Sequence, residues 1–169
     1  MNRLNIDELR PRVVEAALSY EGAPFKPVAE FPSTLDSGWL ERGTNPEEGF
    51  DCSGLAIRCI TDALGKKPTD WLPQYRLTCD MADGVYGNVS KYSLVNPEEV
   101  KPGDIITWIE MNRAYHAAVA LDVANTAGEF PYMHATLHPG LVRQDVFKQN
   151  AWSYPVTVPL KKIVSLALK

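Results

Sequence analysis

The chain changes texture once, at Lys101-Pro102-Gly103-Asp104. Upstream, apolar residues recur at three- and four-residue intervals in two stretches. Downstream, the runs Ile105–Ile109, His116–Val123, Tyr132–Thr136, Leu141–Val146 and Val156–Leu160 are short, β-prone and separated by turn residues. Helices first and adjacent strands later point to α+β, with an antiparallel sheet. A chain of 169 residues is enough for one domain with a proper core, so residues 1–169 are read as a single unit.

In the helical half, Ile6, Leu9, Val13, Ala16, Ala17 and Tyr20 fit one face of a helix over 6–20, with Pro11 acceptable in its first turn. A second helix spans 52–64, on Leu55, Ile57, Cys59, Ile60, Ala63 and Leu64. Asp51 is placed to cap it and Gly65 to end it in the left-handed conformation. A shorter helix is expected over 70–83. Residues 26–48 read as an extended ordered loop, because Phe31, Leu35, Trp39 and Leu40 within it need burial. Loops of this length in a compact domain are often functional.

A net charge of −4 with scattered basic residues argues against a nucleic-acid partner. No segment is long and apolar enough to span a membrane, and the N-terminal MNRLNIDELRPRVVEAALSY lacks the apolar core of a secretory signal. As written, the chain is expected in the cytoplasm, or outside it by a signal-independent route or with a phage. Three cysteines without CxxC or Cys/His zinc spacing imply free thiols and no metal. Cys52 and Cys59, seven positions apart on one helix, stand about 10 Å apart, too far for a disulfide.

Cys52 opens the second helix between Asp51 and Ser53 in GFDCSGLA. Thiolate is the reactive form of cysteine, and a helix N-terminus stabilises it through unpaired N–H groups and the positive end of the dipole. A neighbouring imidazole would act as its base. The candidates are His116, which leads a strand after the loop Glu110–Tyr115, His134 inside Tyr132–Thr136, and His138. If the two strands pair, His116 and His134 lie side by side, one as base and the other as its orienting partner. His138, in Leu-His-Pro-Gly, reads as a turn residue. Cys59 and Cys79 read as structural. Trp39, Trp71 and Trp152 belong to core or rim, with Trp39 able to border a cleft.

Taken together, EGAPF (21–25), GFDCSGLA (49–56), KPGDIITW (101–108), HAAVALD (116–122) and MHA (133–135) resemble the NlpC family of papain-like cysteine endopeptidases, in the family's order over residues 9–160. The resemblance implies a papain-like fold with the Cys52 helix packed on the antiparallel sheet. It makes Cys52 the nucleophile, His116 the base and His134 the third catalytic residue. Asp51, Ser53 and the Phe25 position would contact a substrate amine. No cofactor is implied. The implied substrate is a bacterial cell-wall peptide or muropeptide, cut between D-Glu and a diamino acid.

Phe25 stands where relatives often have tyrosine, and two insertions lengthen the connections before Gly49 and between the histidines. Two alternatives therefore stay open: a non-catalytic peptide-binding module, and an amidase or acyltransferase with another substrate. An immunity protein or phage-tail protein would be a partner if the chain serves as an effector or tail component.

Overall fold

Asn5 begins the first helix by accepting the Asp7 N–H on its side chain, a standard N-cap. A computed structural model of the chain describes residues 5–27, 43–66, 97–110, 113–148 and 154–167. Its elements are α1 (Ile6–Ser19), α2 (Cys52–Leu64), β1 (Ile105–Glu110), β2 (Arg113–Ala120), β3 (Phe130–Thr136), β4 (Leu141–Phe147), β5 (Tyr154–Val158) and α3 (Leu160–Ala167). The expected helix over 70–83, Cys79, and Trp39, Trp71 and Trp152 lie outside the described residues, as does most of the 26–48 loop. Among the described residues no helix is long and apolar enough to cross a membrane.

The strands form one antiparallel sheet in the order β4-β3-β2-β1-β5. Side chains alternate between its faces, which separates two apolar clusters. Ala117, Val119, Met133, Ala135 and Val142 join the helices' core with Leu55, Ile60 and Val13. Ile106, Ala120, Phe130 and Phe147 pack with Val100 in the second cluster.

α2 is the central helix. Ser53–Ile57, Cys59–Thr61 and Ala63 are all buried, as expected of a helix covered on more than one side. It packs against α1 and against β2 and β3. Gly65 ends it at φ 63°, ψ 35°, the left-handed cap anticipated from sequence. α1 buries Leu9, Val13 and Ala17. Pro11 lies in its second turn rather than the first, where the missing N–H removes one ladder bond to Asp7.

Asp104 ties the two halves together from a buried position. One carboxylate oxygen accepts from the Arg10 guanidinium of α1 at 2.7 Å and from the Leu160 N–H at 2.9 Å. The other accepts from the Lys101 N–H at 3.0 Å. Val156–Leu160 was expected to be a strand, but β5 ends at Val158 and Leu160 starts α3. The cap that satisfies α3's first turn comes from 56 residues upstream, beyond the reach of local pattern.

Candidate active site

The start of α2 is delivered to one end of the sheet by backbone pairing. Segment 22–26 bonds on one side to the start of β4, through Gly22 N–H to Val142 C=O, Val142 N–H to Ala23 C=O and Phe25 N–H to Gly140 C=O. On its other side Phe50 N–H bonds to Pro24 C=O and Lys26 N–H to Phe50 C=O. Phe50 precedes Asp51 and Cys52 directly, and Val142 pairs with Ala135 on β3. The helix therefore begins near the end of the sheet that carries His134 and Thr136.

Cys52 is the first residue of α2 and is partly exposed. Asp51 caps the helix, its Oδ1 accepting from the Gly54 N–H at 2.5 Å and from Ser53 Oγ at 3.2 Å. Asp51 and Ser53 are both buried. A side chain at Gly54 is forbidden, since a Cβ there would lie 1.9 Å from the Gly43 carbonyl oxygen. The glycine after Cys52-Ser53 thus lets the turn at 43–49 close over the helix start. Phe25 packs its partly buried ring against the helical core, and its backbone bridges to Phe50.

β2 and β3 pair through Val119–Met133 and Ala120–Tyr132, which makes His116 and His134 diagonal neighbours on one side of the sheet. Their rings meet edge to face at 5.1 Å, with His116 Nε2 2.8 Å from His134 Nδ1. The side-by-side arrangement anticipated from sequence is present. His116 does not lead its strand, however. β2 starts at Arg113, and a register shift opposite Trp108/Ile109 leaves Tyr115 out of the ladder. A bulge, rather than a strand end, aims His116, and bulges commonly re-aim side chains in this way.

Burial and the neighbouring His134 push the His116 pKa down to about 4. Burial also lowers that of His134, opposed by its hydrogen bond and charge interaction with Asp145. His116 is accordingly a neutral imidazole at neutral pH. Cys59, fully buried one helical turn or more inside α2, has its thiol pushed well above the ordinary range by burial. His138 lies exposed in the turn between β3 and β4, as expected.

The site includes four residues that were not anticipated. Asp145 Oδ2 lies 3.0 Å from His134 Nε2, and Arg143 donates to Asp145 Oδ1 at 2.9 Å. Trp108 and Tyr132 pack beside the imidazoles, Trp108 at 5.3 Å from His116 and Tyr132 at 5.0 Å from His134. Arg143 and Asp145 are two apart on β4 and so share a face, a relation the sequence contained. Which face, and opposite which histidine, depended on the β3–β4 register of His134 to Arg143.

No protein-family model and no curated protein matches the chain. Solved structures do. The NlpC/p60 domain of the peptidoglycan hydrolase SagA aligns at 22% identity with TM-score 0.51, over 80% of this chain and 86% of that one. The fold is that of the NlpC/p60 domains. The peptidoglycan hydrolase RipB from Mycobacterium tuberculosis aligns at 22% identity and TM-score 0.55, over 94% of this chain and 68% of its own. An N-acetylmuramoyl-L-alanine amidase from Bacteroides uniformis aligns at 14% identity and TM-score 0.57, over 89% and 98%. Of three longer NlpC-type structures the chain spans 45%, 40% and 48% of the length. The NlpC/p60 likeness agrees with the α+β, papain-like expectation, with the Cys52 helix packed on an antiparallel sheet.

Proposed function

We propose that the chain is a cysteine peptidase that hydrolyses an amide bond in peptidoglycan peptides, with Cys52 as nucleophile, His116 as base and His134 as its orienting partner. The observation that carries this reading is the 2.8 Å contact between His116 Nε2 and His134 Nδ1, at the end of the sheet where the Cys52 helix begins. With Nε2 engaged by His134, Nδ1 of His116 is the nitrogen that takes the thiol proton.

Sγ of Cys52 attacks the carbonyl carbon while His116 accepts its proton. Backbone amides near the start of α2 stabilise the oxyanion. The tetrahedral intermediate collapses, the C–N bond breaks, and His116 gives its proton to the leaving amine. Water, deprotonated by His116, then hydrolyses the thioester, releasing the acid and restoring the thiol. Burial of His116 supports this cycle by keeping the base unprotonated at neutral pH.

The bond between D-Glu and a diamino acid is the favoured target, with Asp51, Ser53 and the Phe25 segment near the substrate's free amine. The Bacteroides uniformis neighbour, named an N-acetylmuramoyl-L-alanine amidase, favours a second reading in which the bond nearer the sugar is cut. Digestion of purified muropeptides, with mass spectrometry of the products, separates the two. Wild type should release one defined fragment and Cys52→Ala none. Undiminished release by Cys52→Ala would overturn the mechanism.

A further inference from the structure

Two imidazoles in series pose a problem that a single base–acceptor pair does not. Each neutral ring carries one proton, and His116 works as a base only with its proton on Nε2 and its lone pair on Nδ1. Its Nε2–H then needs an acceptor, so His134 must present a bare Nδ1 and carry its own proton on Nε2. Nothing in the histidine pair itself enforces that choice, because the opposite tautomers would satisfy the same 2.8 Å contact.

We propose that Asp145, held by Arg143, is the positioning residue that sets the tautomers of both histidines. An ionised carboxylate only accepts hydrogen bonds, and Asp145 Oδ2 lies 3.0 Å from His134 Nε2. That contact places the His134 proton on Nε2 and leaves Nδ1 bare to accept from His116. His116 is then left with its lone pair on Nδ1. Arg143 donates to the other carboxylate oxygen at 2.9 Å, which fixes which oxygen faces His134. The same carboxylate favours the imidazolium formed at His116 during proton transfer, through the intervening ring. The proposal rests on the assignment of Cys52, His116 and His134 given above.

The side chains of Asp145 and Arg143 are 36% and 43% exposed, so their attraction is screened and contributes little to stability. Direction, not strength, is the function assigned to them. This yields an order of variants that a structural role would not produce. In Asp145→Asn the amide oxygen stays with Arg143, and the NH2 group turns to His134 Nε2. The amide then donates where the carboxylate accepted, forcing the His134 proton to Nδ1 and confronting the His116 Nε2–H with a second donor. Asp145→Ala merely admits water, which can donate or accept. The near-isosteric Asn variant should therefore be the more damaged of the two.

The test uses iodoacetamide alkylation of Cys52, followed by peptide mass mapping between pH 4 and 9, on folded wild type, Asp145→Ala, Asp145→Asn, Asp145→Glu and the double variant Asp145→Asn/Arg143→Met. Circular dichroism verifies that each is folded. We expect Asp145→Asn to lose about 10- to 100-fold in rate at pH 6 and to shift the acid limb upward. This is less than the about 10⁴-fold effect of disrupting the tautomer at a directly bonded partner. Asp145→Ala should lose less, and Asp145→Glu should retain most of the rate. The double variant should recover toward Asp145→Ala, since the freed amide can present its oxygen. An Asn variant equal to wild type, or less impaired than Ala, overturns the proposal while leaving the nucleophile and base intact. A Cys52 alkylation rate left unchanged by His116→Ala overturns both readings together.

Discussion

The carbonyl oxygen of Gly43 occupies the space that a side chain at Gly54 would need, only 1.9 Å from an ideal Cβ position. The same Cβ would stand 2.8 Å from Asp51 Oδ1, the oxygen that caps α2. Gly54→Ala must therefore move the turn at 43, the cap, or both. We expect a loss of about 1–3 kcal/mol in urea denaturation, the usual range for overpacking, because the obstructing atoms are backbone. Cys52 alkylation should slow with it, since the displaced groups surround the helix start.

Asp104 offers a prediction about architecture rather than chemistry. Its carboxylate bonds Arg10, Lys101 and Leu160 from a position 2% exposed. Asp104→Ala leaves a largely buried guanidinium without this anion and removes the cap of α3. Breaking such a pair costs about 3–5 kcal/mol. Thermal and urea unfolding should show a far larger loss than Asp145→Ala, whose own carboxylate and Arg143 partner are partly exposed. Comparable losses for the two variants would contradict the distinction drawn between a structural and a positioning carboxylate.

The contrast between these two aspartates also marks what could be read from the chain. Helix α2, its Asp51 cap and its Gly65 stop were legible because all three are set by residues within a few positions of one another. The pairing of His116 with His134 was legible as a conditional, once their strands were taken to be neighbours. The role of Asp145 depended on a register, and α3 depended on a cap supplied across 56 residues. A bulge leaves no distinctive mark in AYHAAV, so local pattern alone puts His116 at the head of its strand. Long-range hydrogen bonds, not local propensity, account for each of these gaps.

Burial of the histidine pair makes stability depend on pH with a definite sign. His116 falls to about 4 in the folded chain from an ordinary value of 6.5. Between those values the unfolded chain binds more protons than the folded one, so stability falls as pH is lowered from about 6.5 to about 4. That difference corresponds to on the order of 3 kcal/mol. His134 shifts in the same direction. Urea midpoints measured across this window should decline in wild type and decline less in His116→Gln. A flat profile in wild type, or one unchanged by the substitution, would show that His116 is not held neutral by burial.

Asp51 combines a demonstrated cap with a proposed substrate contact, and one substitution separates them. Asparagine caps helices as well as aspartate does, because its side-chain oxygen can accept from the same amide. In Asp51→Asn that oxygen can keep the Gly54 N–H and Ser53 Oγ contacts, so the unfolding free energy should change by no more than a few tenths of a kcal/mol. Asp51→Ala removes both contacts and should cost about 1 kcal/mol. If the negative charge also meets a substrate's free amine, Asp51→Asn should raise KM about tenfold or more on muropeptides, with kcat largely kept. That pattern follows from removing an interaction made equally in ground and transition states. An Asn variant with wild-type KM and wild-type stability would reduce Asp51 to a helix cap and assign amine recognition to other residues.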